Sequence, residues 1–241
     1  SHDHSAESFE AKESAKAAEE KALSEQIEAL PVAEEEHPQR SLVIIDATIE
    51  NSQALLDAAG EHTDIIMLGE GSDFSDIADI VALHEHLDSL HIVTHGGDGF
   101  IQLGDDRLDS SDISAKHQLL QAIKNSMSES GDVLLYGCDV GETDKGLDFL
   151  NKFASATGAD ISASDDLTGA AWLEGDAELE LKIGSIETDA IFTQAELNAF
   201  NNALAAPVVT TNAGVTGNEG AIIAISGAEL ETTDADTPPT N

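Results

Sequence analysis

The sequence has little sulfur and little positive charge, and both shortages exclude classes of protein. A single cysteine, Cys138, excludes an internal disulfide framework. Only 10 Lys and Arg residues stand against 48 Asp and Glu residues, which gives a formal net charge of −38 at pH 7. Such a surface repels nucleic acids and anionic lipids, so we expect neither as a partner. Calcium and basic peptides are the partners that this charge favours.

Long apolar runs are also missing. No run is long enough to span a bilayer, so we expect no membrane insertion within these residues. The first residues do not resemble a secretory signal, so an exported protein would carry its signal outside this stretch. Hydrophobic residues nevertheless make up 41 % of the 241 residues, which is enough for one sizeable α/β domain with tails.

Composition divides the chain into three parts. Residues 1–40 are rich in Ala, Glu and Lys, which predicts an acidic leader with one sparse amphipathic helix that ends at Pro31, followed by a linker. A solvated, partly disordered leader is the alternative. Residues 41–205 alternate between strand and helix patterns. Residues 206–241 gain Thr, Gly, Pro and Asp, and we interpret them as a linker and the truncated start of a β-sandwich repeat.

The middle part predicts an α/β fold with a mostly parallel sheet sandwiched by helices. Its apolar, strand-like runs are SLVIIDA, TDIIMLG, LHIVTHGG, DVLLYGC and DISAS. The run FIQLGDDRLD predicts a hairpin that turns at Gly104-Asp105, and WLEGDAELELKIGSIE predicts an antiparallel hairpin at the sheet edge. A last helix, TQAELNAFNNAL, is expected to close the domain near residue 205.

Two of these strands end in residues that can do chemistry. His95 follows LHIVT and Cys138 follows DVLLYG. Ligands and reactive groups gather beyond the carboxyl ends of parallel strands, so neighbouring strands would bring this imidazole and thiol together. A thiol is mostly protonated at neutral pH, and an adjacent base raises the population of the nucleophilic thiolate. The pattern alone leaves two alternatives open, a Cys-His dyad or a core cysteine and a turn histidine.

Glycines accompany both residues. Gly96 and Gly97 allow a sharp turn after the strand and can present a backbone N–H to a developing oxyanion. Gly137 lets the chain bend close to the thiol. We therefore expect these three glycines to shape the backbone of the site.

The segments LHIVTHGGDGFIQLGDDRL, GDVLLYGCDVG and TGADISASDDLTGAAWLEGDAELELKIGSIE, in this order, resemble an uncharacterised bacterial domain family. That family lies near the N-terminus of large repeat adhesins exported by type I secretion. Strand-His-Gly followed by strand-Cys also resembles the clan CD cysteine peptidases, which have the caspase fold. The resemblance implies His95 as general base, Cys138 as nucleophile, and the Gly96 and Cys138 amides as oxyanion donors.

The tail NEGAIIAISGAELETTDADTP resembles the opening of a cadherin-like adhesin repeat. The resemblances together imply a secreted or cell-surface bacterial protein. They also imply a peptide or protein substrate, which includes the chain itself. No cofactor is required by this chemistry, and calcium is an optional ligand. The alternative is a non-catalytic structural, retention or interaction module of the adhesin.

Several further residues are weaker candidates. In the clan, residues at the position of Asp165 and Asp166 build part of the substrate pocket, where carboxylates would favour Arg or Lys. Solvated turn carboxylates are the alternative. A pocket of that kind would make Arg40, in the linker before the domain, a self-cleavage point. Asp98 and Asp139 flank the dyad and are expected either to orient His95, to bind calcium or to be ordinary loop residues.

Histidine pairs do not predict a metal site. His84 and His86 lie two residues apart on a predicted helix, so their side chains point away from each other. His91 and His95 share one face of a strand, but zinc would need further ligands that the sequence does not supply. Acidic turns such as DDRLDSSD match no EF-hand loop.

Overall fold

The computed structural model describes residues 39–59, 64–206, 208–212 and 230–233, the last two ranges as backbone only. The predicted leader and most of the tail lie outside these residues. The strands in chain order are β1 (Ser41–Asp46), β2 (Asp64–Leu68), β3 (Leu87–Val93), β4 (His95–Gly97), β5 (Phe100–Leu103), β6 (Asp106–Asp109), β7 (Met127–Tyr136), β8 (Asp160–Ala163), β9 (Leu181–Ile183), β10 (Val208–Asn212) and β11 (Leu230–Thr233). The helices are α1 (Ser52–Ala58), α2 (Phe74–Val81), α3 (His117–Ser126), α4 (Asp144–Thr157) and α5 (Gln194–Phe200).

A six-stranded sheet in the order β2-β1-β3-β7-β8-β9 forms the centre of the domain. The first five strands are parallel and β9 runs antiparallel to β8. The predicted α/β fold with a mostly parallel sheet is therefore confirmed. None of the described helices has the length and apolar character that crossing a membrane requires.

The two antiparallel predictions have different outcomes. β5 and β6 form the predicted hairpin and join β4 in a separate three-stranded sheet. The segment 172–187 is not a hairpin, because only Leu181–Ile183 is extended and it pairs with β8. Its first half contains a 3-10 turn, Ala171–Leu173, and Glu174 has a φ of 68°, which ends that turn in the left-handed region.

Side chains alternate between two apolar cores, one on each face of the sheet. In β1, Leu42 and Ile44 pack on the side of α2, α3 and α4, whereas Val43 and Ile45 pack on the side of α1 and α5. This alternation follows from the two-residue period of a strand. A strand buried on both faces is typically a continuous apolar run, as LVII is within SLVIID. The second core also contains Cys138, which places the thiol among apolar neighbours.

Candidate active site

β3 and β7 are neighbours in the sheet and end at the same edge. Val93 is paired with Tyr136, and the Thr94 N–H continues the ladder by donating to the Tyr136 carbonyl at 3.0 Å. Because the strands are parallel and in this register, His95 and Cys138 follow them at adjacent positions. The expectation that the two residues leave neighbouring strands is therefore met by the backbone.

Gly96 and Gly137 allow these two backbones to touch. A Cβ on Gly96 would lie 2.8 Å from the carbonyl oxygen of Cys138 and 2.8 Å from the carbonyl carbon of Gly137. A Cβ on Gly137 would lie 3.0 Å from the Cα of Gly96. Side chains larger than hydrogen would force the two segments apart. Gly97 has a different role, because it pairs with Phe100 in the hairpin and a Cβ there would meet the Phe100 ring.

One carbonyl oxygen binds to both of these segments. The oxygen of Leu204 accepts hydrogen bonds from the Gly96 N–H at 2.9 Å and from the Cys138 N–H at 3.3 Å. Leu204 belongs to an extended segment, residues 202–206, which we call the strap. Two amides directed at one oxygen are the arrangement that stabilises a developing oxyanion in acyl transfer.

The strap is held on both sides by backbone hydrogen bonds. The Leu204 N–H donates to the Thr168 carbonyl at 3.0 Å, and the Ala170 N–H donates to the Asn202 carbonyl at 3.0 Å, so the strap runs antiparallel to residues 168–170. On the other side, Ala205 forms a parallel bridge with Gly96, and the Ala206 N–H donates to the Gly96 carbonyl at 3.0 Å. This is the geometry of strand addition to an open backbone edge.

The Cys138 thiol is enclosed. Its exposed fraction is 0 %, and Sγ donates to the Thr168 carbonyl at 3.4 Å. Burial raises the pKa of the thiol, and the carboxylates of Asp139 and Asp166 raise it further. Asp139 itself has a φ of 58°, and its N–H donates to the Asp166 carbonyl at 2.7 Å, so a left-handed turn fixes the chain directly after the cysteine.

The His95 imidazole is not hydrogen-bonded to the thiol. Only 6 % of His95 is exposed, and its Nδ1 is buried without a hydrogen-bond partner among the described residues. The side chain lines a cleft of about 890 Å³ together with Gln102, Lys116 and Asp73. The backbones of the predicted dyad are thus adjacent, whereas its side chains have separate neighbours.

The acidic candidates near the dyad divide into two groups. The Asp98 carboxylate accepts hydrogen bonds from the backbone N–H and hydroxyl of Thr143, at 3.2 and 2.8 Å, and so holds the start of α4 rather than His95. Asp165 and Asp166 are exposed and form an acidic cluster with Glu180. They lie next to Cys138 through the Asp139–Asp166 backbone contact.

Arg40 lies at the amino ends of the parallel strands, opposite to the end at which Cys138 lies. It precedes β1, and its backbone and side chain bind the Asp88 carboxylate and the Glu85 carbonyl at the start of β3. Cys138 follows the carboxyl end of β7. Cleavage after Arg40 would therefore need a second copy of the chain or a rearrangement of β1.

Groups that could hold a metal ion contain carboxylates only, among the described residues. One is the exposed cluster of Asp165, Asp166 and Glu180. The other contains Asp132, Asp160 and Glu187, whose ligand atoms lie within 4.8 Å of one another. Asp132 is fully buried, and its Oδ2 accepts from the N–H groups of Glu187 and Thr188 at 3.0 and 2.8 Å. Its Oδ1 has no partner in the described part of the chain.

The strap was missed by the sequence reasoning. The predicted last helix, TQAELNAFNNAL, ends at Phe200, because Asn201 takes a φ of 64° and caps α5 in the left-handed region. Asparagine is one of the few residues that adopt this conformation readily, so the pair Asn201-Asn202 was the available signal. Thr168, whose carbonyl binds both the thiol and the strap, had no distinguishing pattern.

No curated protein matches the chain by sequence. Similar solved structures include BdcA in complex with NADPH (14 % identity, TM-score 0.26, covering 51 % of this chain and 68 % of that one) and a small-chain dehydrogenase (10 %, 0.26, 50 % and 67 %). The protein lin1944 from Listeria innocua is a third (16 %, 0.27, 49 % and 65 %). TM-scores this low support no statement about activity. A family model described as a domain of unknown function, DUF4347, matches residues 42–204. The chain therefore belongs to the DUF4347 family.

Proposed function

We propose that this domain is a cysteine peptidase of the clan CD kind. The observation that carries the proposal is the pair of amides, Gly96 N–H and Cys138 N–H, that bind one peptide carbonyl oxygen beside the only cysteine. The donor pair includes the amide of the nucleophile itself, an arrangement that occurs in known acyl-transfer sites. The alternative, a core cysteine and a turn histidine, does not require the amides of two strand ends to bind the same oxygen.

In the proposed mechanism the Cys138 thiolate attacks a peptide carbonyl carbon while the two amides hold the oxyanion. His95 accepts the thiol proton and then protonates the leaving amine. Water hydrolyses the thioester and regenerates the thiol. Because the thiol is buried and the imidazole faces the cleft, the described state is a closed one, and reaction requires the two side chains to meet.

A peptidyl acyloxymethyl ketone, which alkylates an activated cysteine, tests the proposal. Because the two amides bind the carbonyl of a leucine, Leu204, we choose a ketone with leucine before the reactive carbon. We expect this leucine ketone to label Cys138, as measured by intact mass. His95→Ala should slow this labelling by about 10²-fold or more, because a positioned base contributes that much to proton transfer. A companion ketone with arginine tests the alternative, a substrate pocket built by Asp165 and Asp166. If those carboxylates bind the residue before the cleaved bond, the arginine ketone should react faster than the leucine ketone.

His117 offers the matched control, because it is an exposed histidine at the start of α3. His117→Ala should leave the labelling rate unchanged. Circular dichroism checks that His95→Ala is folded. If the folded variant is labelled at the wild-type rate, His95 does not activate Cys138 and the proposed dyad is wrong.

The carboxylates of Asp132, Asp160 and Glu187 support a calcium site. Calcium takes six to eight oxygen ligands, and the unpartnered Oδ1 of buried Asp132 lacks the compensation that a buried carboxylate needs. We expect calcium at about 100 times its Kd to raise the free energy of unfolding by about 2.7 kcal/mol. For a domain of this size that corresponds to a rise in Tm of roughly 5 °C or more.

Variants of two glutamates distinguish calcium binding at this site from nonspecific binding to an acidic surface. Glu187→Gln should abolish most of the calcium-dependent rise in Tm, whereas Glu180→Gln, in the exposed cluster, should retain it. A rise that survives Glu187→Gln, or that magnesium reproduces in full, would count against the site. Scanning calorimetry in calcium and in chelator makes the comparison.

The secreted or surface-adhesin setting is part of the same proposal and depends on the sequence motifs. The second candidate function is a non-catalytic module of such an adhesin. The full burial of Cys138 favours it, because an inert core cysteine needs no access to solvent. Labelling that is slow and indifferent to His95→Ala is the result that this candidate predicts.

A further inference from the structure

The strap lies across the site as a bound peptide would. Its antiparallel pairing with residues 168–170 uses the backbone N–H of Leu204 and the carbonyl of Asn202. A third contact directs the Leu204 carbonyl at the Gly96 and Cys138 amides. Backbone pairing of this kind gives a substrate its register without regard to its side chains.

We propose that the strap is the substrate of its own domain, and that Cys138 cleaves the Leu204–Ala205 peptide bond within the same molecule. This inference rests on the proposed cysteine peptidase function. It replaces Arg40 with a bond that already lies beside the nucleophile.

Two contacts place Leu204 beside Cys138. The thiol and the Leu204 N–H both donate to the Thr168 carbonyl, at 3.4 and 3.0 Å. The Leu204 oxygen binds the Cys138 amide. Leu204 is therefore linked to Cys138 at two points. Its N–H shares the Thr168 carbonyl with the thiol, and its carbonyl oxygen accepts from the Cys138 N–H.

The leaving side of the bond is adjacent to His95. Ala205 is bridged to Gly96, the residue after His95, and the Ala206 N–H is bound to the Gly96 carbonyl. The amine released from Ala205 would form on this side. The buried Nδ1 of His95, which has no partner among the described residues, is the group that remains to exchange the proton.

The side chains define the class of substrate. Leu204 and Ala203 are fully buried in the second core, and Ala205 is 9 % exposed. The site thus accepts an aliphatic residue before the cleaved bond and small residues on either side of it. Asp165 and Asp166 are exposed, and neither belongs to this core.

The proposed reaction is a hydrolysis. Sγ forms a bond to the Leu204 carbonyl carbon as the C–N bond to Ala205 breaks, and the thiol proton passes through His95 to the Ala205 amine. Water then adds to the thioester, which restores the thiol and leaves a carboxylate on Leu204. The products are residues 1–204 and a peptide that begins at Ala205.

Intact mass spectrometry of the full chain in reductant, with and without calcium, tests the inference. We expect wild-type protein to yield the two products with a first-order rate constant that does not change with protein concentration, as an intramolecular reaction requires. Cys138→Ser, which preserves the size of the side chain, and Cys138→Ala should both abolish the cleavage. Arg40→Gln should leave it unchanged.

Wild-type protein that stays intact at Leu204–Ala205 overturns the inference, and so does cleavage there that survives both cysteine variants. Labelling of Cys138 by the leucine ketone decides the proposed function separately. Labelling that depends on His95, with an intact strap, would retain the peptidase and remove only self-cleavage. Cysteine-dependent cleavage at another bond would do the same.

Discussion

Gly96→Ala is expected to slow the labelling of Cys138 by the leucine ketone by about 10²-fold or more. The added Cβ would lie 2.8 Å from backbone atoms of Gly137 and Cys138, and backbone has no flexible end that can move aside. The two strand ends must separate, so the Gly96 and Cys138 amides can no longer bind one oxygen. Losing one such donor costs about 10²–10³ in rate. Overpacking should also lower the free energy of unfolding by about 1–3 kcal/mol.

Two glycines supply matched controls. A Cβ on Gly131 would lie 2.7 Å from the Leu87 carbonyl, near the start of β7 and away from the dyad. Gly131→Ala should therefore destabilise the fold without slowing the labelling of the remaining folded protein. Gly69→Ala has no atom within 4 Å of its Cβ and should change neither property. A Gly96→Ala protein that labels at the wild-type rate would show that the convergence of these strand ends is unrelated to reactivity.

His91 is expected to make the fold sensitive to acid. The side chain is 1 % exposed and lies between the Tyr136 hydroxyl and the Ser89 hydroxyl, each at 3.1 Å. Burial lowers the pKa of His91 from 6.5 to about 4. The unfolded state therefore binds a proton at a higher pH than the folded state. The contribution is complete above pH 6.5 and is lost as the pH falls toward 4, by about 3 kcal/mol in total.

His91→Gln removes this titration and keeps a side chain that forms hydrogen bonds. Between pH 7.5 and 5 we expect the wild type to lose about 2 kcal/mol of unfolding free energy relative to the variant. The difference between the two proteins is the useful quantity, because a net charge of −38 changes with pH in both. Urea unfolding gives the values. Parallel pH curves for the two proteins would mean that His91 does not titrate differently on folding.

The sheet could be predicted because the burial of its central strands is reflected in the apolar residues of those strands. LVII in β1 and VLLY in β7 are continuous apolar runs, as is typical of strands buried on both faces. The position of His95 and Cys138 at one edge followed from that pattern and from parallel pairing. The local turn at Gly104-Asp105 was likewise predicted from residues that favour turns.

The orientation of the two side chains could not be predicted in this way. The Cys138 thiol points to the Thr168 carbonyl, and His95 faces the cleft beside Lys116. Both directions depend on segments far along the chain. The strap was hidden for a similar reason, since AELNAF and NNAL read as one helical run until Asn201 reverses the backbone. The length of a helix is decided at its cap, and one residue there redirected the rest of the segment into the site.

The burial of Cys138 favours the non-catalytic module only if the strap stays in place, because Leu204 of the strap belongs to the same core as the thiol. A thiol enclosed by apolar core alone would be inert. Here Leu204 contributes both an apolar side chain to that core and a carbonyl to the two amides. Another substrate, or the ketone, can reach the two amides only after the strap has been displaced or cleaved.

A crystal structure of the protein after reaction with the leucine ketone would show which groups hold the reacting carbonyl. We expect a covalent bond from the ketone to Cys138, with the oxygen of the adduct held by the Gly96 and Cys138 amides and the strap moved from its place. An adduct whose oxygen binds neither amide, or a Cys138 that stays unmodified beneath the strap, would rule out the proposed oxyanion site.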